Sequence, residues 1–137
     1  MLQVIKDREE KGEIQRDTRV FETANGKVAV LNYERKILTD GQAVLDFAVM
    51  VSEVDDCRNI AVKKEMFTEE FFDLSSGLAG EIAQKLVNYG FRFAIIGDYS
   101  GYTSKALHDF IYESNKGRHL YFVADEDEAL KKLGDQR

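Results

Sequence analysis

The most constraining stretch of this chain is a helical stripe that runs directly into a strand. Leu74, Leu78, Ile82 and Leu86 recur every four residues, and Ala79, Ala83 and Val87 widen the stripe. That spacing places them on one face of an α-helix. Gly90 stands where a left-handed C-terminal cap is wanted. Behind it, Phe91-Arg92-Phe93-Ala94-Ile95-Ile96 is almost continuously apolar. Such a run fits a strand at the centre of a parallel sheet, covered on both faces. A helix followed at once by a buried strand implies the crossover units of an α/β fold.

The rest of the chain extends the alternation. Val20 to Thr23 and Lys27 to Tyr33 are β-prone runs joined by Ala24-Asn25-Gly26, and an Asn-Gly pair favours a hairpin turn. In the second run Val28, Val30 and Asn32 alternate with Ala29, Leu31 and Tyr33. Thr39 with Gln42 reads as a capping box that opens a helix, with Ala43, Phe47, Met50 and Val54 as its core stripe. Asn59 to Val62 is a short strand followed by a polar loop. After Gly97 to Tyr102, a helix from about Thr103 to Asn115 presents Leu107, Phe110, Ile111 and Ser114 on one side, with Gly117 as its stop. Leu120 to Val123 is the last strand. Asp125 caps the last helix, with Glu128 at the box position and Leu130 and Leu133 inward. The acidic start Asp125 to Glu128 and the late Lys131 and Lys132 suit the helix dipole and need no ligand.

The order is ββαβαβαβα, one α/β domain over residues 20–134 with a mixed sheet, a leading hairpin and helices packed against it. Residues 1–19 read as a weakly ordered, charge-rich arm. The full length of 137 residues suits one hydrophobic core. Burial of roughly two thirds of the unfolded surface at this size makes a stabilising disulfide or metal unnecessary. No internal repeat or low-complexity segment interrupts it.

Composition narrows the function classes. The formal charge of −6 and the absence of a basic stripe, local spots such as Lys116 and Arg118 aside, disfavour a nucleic-acid partner. No apolar run approaches the roughly 20 residues that span a bilayer, so no membrane partner is expected. The N-terminus shows no signal-peptide core. Cys57 is the only cysteine, which suits a reducing, cytoplasmic setting. Cys57 is expected to be a small buried residue. His108 and His119 lack metal-ligand spacing with each other or with Cys57. His108 and Asp109 are adjacent on a helix and cannot face each other. No cofactor, metal or catalytic residue is therefore assigned.

Two loops carry the functional signal, since both follow parallel strands and both lead into helices. If the two strands are neighbours, the loops meet at one sheet edge, where ligands bind in open α/β folds. Asp73, Ser75, Ser76 and Gly77 would lie on the first, and Asp98, Ser100, Tyr102, Thr103, Ser104 and Lys105 on the second. The second set could hold a small anion with the helix start and Lys105. The plain structural alternative is that Asp73, Ser75, Thr103 and Ser104 are helix caps and Tyr102 packs the loop. Gly97-Asp98-Tyr99-Ser100-Gly101 matches neither the phosphate-loop nor the dinucleotide pattern. Gly77 and Gly80 are better explained by close approach of the helix to the sheet.

The element order resembles that of a STAS domain, the fold of bacterial anti-sigma-factor antagonists, over roughly residues 20 to 134. Phe72-Asp73-Leu74-Ser75-Ser76-Gly77-Leu78 is similar to the Asp-Ser-Ser-Gly-Leu motif of that family, whose first serine a partner kinase phosphorylates. The resemblance implies Ser75 as a phosphosite or docking site, and a protein partner or self-association. Here Leu74 separates Asp73 from Ser75, an insertion able to move the carboxylate off the serine. Phe71 to Glu81, Gly97 to Lys105 and Asp109 to Asn115 also resemble a group of short bacterial proteins known as a domain of unknown function. Two readings stay open: a non-enzymatic regulatory protein-binding module, or a small-molecule, nucleotide or anion binder with weak hydrolase activity as an extension. A third is homodimerisation through the hairpin or an exposed helix.

Overall fold

The hairpin forms where the sequence places it. In a computed structural model that describes residues 17–134, β1 (Thr18–Thr23) and β2 (Gly26–Leu31) pair antiparallel, with Thr23 opposite Gly26. The reversal puts Gly26 at φ +94°, a conformation that side-chain-bearing residues resist. Of the arm read over residues 1–19, residues 1–16 lie outside the described residues, and Thr18 and Arg19 belong to β1.

After the hairpin come α1 (Gly41–Val54), β3 (Asn59–Lys63), α2 (Leu78–Tyr89), β4 (Arg92–Ile96), α3 (Lys105–Asn115), β5 (Leu120–Val123) and α4 (Glu126–Gly134). The sheet order is β1-β2-β3-β4-β5, and every pair after the first is parallel. The chain is thus an α/β protein with a five-stranded mixed sheet, in the order ββαβαβαβα. Alternate residues of each strand face opposite sides. Ala29, Ile60, Phe93 and Phe122 join Val44, Ile82 and Leu107 of the first three helices in one core. Val28, Ala61, Ala94 and Tyr121 meet Ala129 and Leu133 of α4 in the other. Burial on both faces explains why β4 is apolar at nearly every position. Each fully buried Ile or Leu, such as Ile82, contributes about 1.5–3 kcal/mol.

Several local expectations change. Asp40, not Thr39, caps α1, accepting from the Ala43 N–H at 2.8 Å. The buried stripe of α1 is Val44, Phe47, Ala48 and Val51; Phe47 is buried as expected, Val44 and Val51 take the places expected for Ala43 and Met50, and Val54 is 59% exposed. The four buried residues share the main core with Leu78, Ile82 and Leu86 of α2, and the Glu81 side chain lies over Gly41, where a Cβ would stand 2.9 Å from Cδ. Leu74 precedes α2, which starts at Leu78, and Val87 is exposed. Gly80 approaches nothing: among the described residues no atom lies within 4 Å of where its Cβ would be. Gly77 is needed instead for its φ of +83°. The segment after β3 is not a polar loop. It folds into three short 3₁₀ turns, Lys64–Met66, Glu69–Phe72 and Leu74–Ser76, and buries Met66, Phe67, Phe71 and Phe72.

The helix ends agree better. Gly90 caps α2 at φ +74°, and Asp125 accepts from the Glu128 N–H at 2.9 Å while Glu128 accepts from the Ala124 N–H. Among the described residues, no helix is long and apolar enough to cross a membrane.

Candidate functional site

β3 and β4 are parallel neighbours, with Lys63 opposite Ile96 at their ends. The segments that follow them therefore leave the sheet at the same edge, and both predicted loops lie there.

On the first, Asp73 opens the turn Leu74–Ser76, and its Oδ1 accepts both the Ser75 N–H at 3.1 Å and the Ser75 hydroxyl at 2.7 Å. The inserted Leu74 does not move the carboxylate off the serine. It lets the chain turn so that the carboxylate reaches over one residue, while Leu74 itself packs half-buried against the core. Ser75 caps no helix. It lies ahead of α2, whose start is held by Ser76: the Ser76 Oγ accepts from the Leu78 N–H at 3.1 Å and donates to the Glu70 carbonyl at 2.9 Å. Asp73, Ser75, Ser76 and Gly77 are all exposed, whereas Leu78 turns inward.

The second loop repeats the arrangement. Asp98 Oδ1 accepts the Ser100 N–H at 2.9 Å and the Ser100 hydroxyl at 2.8 Å. The Ser100 backbone bond, then its hydroxyl, with Lys64 nearby, hold the Asp98 carboxyl below its ordinary range. Ser104 caps α3 through the Leu107 N–H at 3.1 Å, and Thr103 lies exposed before it. Lys105 does not turn towards the loop: its ammonium is 2.8 Å from Asp109, one helical turn on. His108 Nε2 lies 2.7 Å from the Tyr102 carbonyl and fastens the loop to α3.

Lys64 and Glu69, which carry no signal in the sequence reading, and Phe72, quoted there only as part of a motif, join the two segments through Tyr102. The Phe72 ring stacks on Tyr102, centroids 5.2 Å apart and planes 22° apart. The Lys64 ammonium stands 5.5 Å from the Phe72 centroid and 5.3 Å from that of Tyr102. The Tyr102 hydroxyl donates to Glu69 Oε1 at 3.3 Å. Desolvation alone would lower the Lys64 pKa, but the Tyr102 hydroxyl and the charges of Glu65 and Glu69 outweigh it and raise the value. The stem of Lys64 runs across Gly97, where a Cβ would stand 2.6 Å from Lys64 Cβ. Tyr99 lies beneath, its hydroxyl donating to the Ile95 carbonyl at 2.8 Å, and burial, then Glu65 and Tyr102, push its pKa up. The usable sequence signals were a lysine just past a strand and paired bulky apolar residues at Met66-Phe67 and Phe71-Phe72.

The edge thus offers two exposed serine hydroxyls, each held by a carboxylate, and an aromatic stack attended by the Lys64 ammonium. His119 Nδ1 lies 3.1 Å from the Phe91 carbonyl, so it, like His108, serves the backbone. Among the described residues, no three His, Cys, Asp or Glu side chains cluster as a metal site would require. Cys57 is buried and bonds the Lys27 and Asn59 carbonyls at 3.0 Å.

Comparison with known proteins gives one match. Residues 23–133 fit the family described as a domain of unknown function, DUF4180. No curated protein matches, and no solved structure does.

Proposed function

The chain belongs to the DUF4180 family, and from that premise we propose that it is a non-enzymatic, STAS-like regulatory module of the cytoplasm. It docks another protein, or a second copy of itself, at the edge formed by the Ser75 turn and the Asp98–Lys105 loop. Support for the STAS-like part comes from the leading hairpin and from strands that each lie beside the next.

The observation that carries the reading is the Ser75 hydroxyl, exposed and donating to Asp73 at 2.7 Å. A phosphate on that oxygen would add roughly −1.5 to −2 charge and remove the donor. Asp73 would then face an anion instead of accepting a hydrogen bond, and the turn would have to open. A switch of this kind changes a docking surface without altering the core. The alternative, an anion or nucleotide site at the Asp98–Lys105 loop, draws less support. Lys105 is engaged with Asp109, and the loop carries the Asp98 carboxylate, whose charged form the Ser100 bonds favour.

The test compares wild type, Ser75→Asp and Ser75→Ala in a tagged capture from the source cell, with intact mass recorded. Wild type and Ser75→Ala should retain one stoichiometric partner and Ser75→Asp should lose it. The added mass of one phosphate should be found on the fraction of wild type that holds no partner and be missing from Ser75→Ala. Capture that Ser75→Asp leaves unchanged sinks the switch.

A further inference from the structure

We propose that the Ser75 turn and the Asp98–Lys105 loop respond as one unit, linked through Phe72, Tyr102 and Lys64, so that charge placed on Ser75 is read at Tyr102. This rests on the reading above only in taking Ser75 as the switched position.

The links are continuous. Asp73, which holds the Ser75 hydroxyl, is bonded in sequence to Phe72, and its own N–H donates to the Glu70 carbonyl at 3.1 Å. Phe72 and Glu69 belong to the same 3₁₀ turn, and both touch Tyr102, one through its ring and the other through its hydroxyl. Tyr102 in turn passes its carbonyl to His108 of α3. Lys64 closes the arrangement from the sheet side: its ammonium attends both rings while its stem lies on Gly97, the residue that opens the second loop.

Such contacts transmit a displacement because packed rings have few alternative arrangements and tolerate little continuous deformation. If a negative group on Ser75 expels Asp73, the Asp73 backbone must turn. Phe72 cannot follow that turn without sliding against Tyr102. The Lys64 ammonium is attracted to the faces of both rings, which ties the pair to the end of β3. Coupling carried by specific contacts has a checkable signature: it fails when those contacts are removed and the endpoints are left intact.

The experiment records backbone amide spectra of the full chain with and without Ser75→Asp, in wild type, in Phe72→Leu and in Lys64→Met. Lys64→Met keeps the stem over Gly97 and removes only the charge, which guards against loss of packing in Phe72→Leu. In the wild-type background, Ser75→Asp should shift the amides of Ser100, Tyr102 and Ser104 as well as those around Asp73. In at least one of the linker variants the shifts at Ser100, Tyr102 and Ser104 should fall by half or more, while those beside Asp73 persist. Shifts confined to residues 73–77 in wild type, or remote shifts that neither variant reduces, overturn the coupling. The partner capture described above is independent of this result, so a failed switch and a failed coupling are told apart.

Discussion

The Arg92 guanidinium donates to the Leu133 carbonyl at 2.9 Å and, through its other nitrogen, to the Lys132 carbonyl at 3.3 Å. The terminal carbonyls of α4 have no partners within their own helix, so a side chain from β4 supplies them. The same fork also reaches Asn59, Tyr121 and the Arg118 carbonyl. Arg92→Met should therefore destabilise the chain by about 2–3 kcal/mol, the range expected when charged hydrogen bonds are lost in a half-buried site. Arg92→Lys should recover less than half, because an ammonium cannot span that fan of acceptors. A urea titration reads both as a lower midpoint at unchanged slope. A stability within about 0.5 kcal/mol of wild type for Arg92→Met would show that α4 is held by its apolar face alone.

The glycines separate into three kinds, and alanine substitution sorts them. Gly80 lies exposed inside α2 with open space where a Cβ would go, so Gly80→Ala should stabilise by about 0.5–1 kcal/mol. Gly77→Ala should cost about 1–2 kcal/mol, since its φ of +83° crowds a Cβ. Gly97→Ala should cost about 1–3 kcal/mol by driving the Lys64 stem away. Thermal melts of the three variants give the order directly, and a neutral Gly97→Ala would mean that Lys64 swings aside freely.

What could be read in advance followed from local period. β4, the hairpin and the Asp125–Glu128 cap each carry their signal within a few residues. The stripe of α1 did not, because Ala43, Val44, Phe47, Ala48, Val49, Met50 and Val51 cover most of that helix, and packing against partners distant in sequence, such as Tyr33, Ile82 and Leu86, decides which side turns inward. Residues 64–76 were harder still. Met66-Phe67 and Phe71-Phe72 come as adjacent pairs, matching neither the helical nor the strand period, and their burial depends on partners as distant as Tyr99, Tyr102 and Phe122. At the site, the two serines and their carboxylates were legible as residues. That each carboxylate reaches its serine across one residue is a local Asx turn, open to reading from Asp73-Leu74-Ser75 and Asp98-Tyr99-Ser100 themselves, whereas that Lys64 joins the loops comes from tertiary geometry alone.

The two bonds from Ser100 draw the Asp98 carboxyl below its ordinary range, and this is testable by titration. The Asp98 carboxyl should titrate below its ordinary 3.8 in a carboxyl-carbon NMR experiment. Ser100→Ala should move it back up, because the hydroxyl bond favours the charged form. A depressed folded-state value means that the contribution is present above the unfolded pKa and is lost as pH falls through the folded one. An Asp98 that titrates identically in wild type and Ser100→Ala would assign the effect to the backbone bond and Lys64.

Cys57 makes the opposite prediction at the alkaline end. Burial, before any other influence, pushes its thiol from 9.0 up to about 11. Between those values the folded chain keeps a proton that the unfolded chain has lost, so unfolding releases a proton and stability must fall as pH rises. The steepest slope this one group can give is about 1.4 kcal/mol per pH unit, and the fall should level off above about pH 11. Other groups titrate in the same window, which is why the quantity to measure is the difference between wild type and Cys57→Ala. Cys57→Ala loses some packing at every pH, but that loss is constant and cancels from the slope. The difference between the two stabilities should therefore be flat up to about pH 9 and should shrink from there, as wild type loses its advantage. In parallel, native wild type at pH 8 should resist alkylation while the urea-unfolded chain reacts. A native thiol that alkylates at the unfolded rate, with no change of slope above pH 9, would mean that Cys57 opens to solvent in the folded chain.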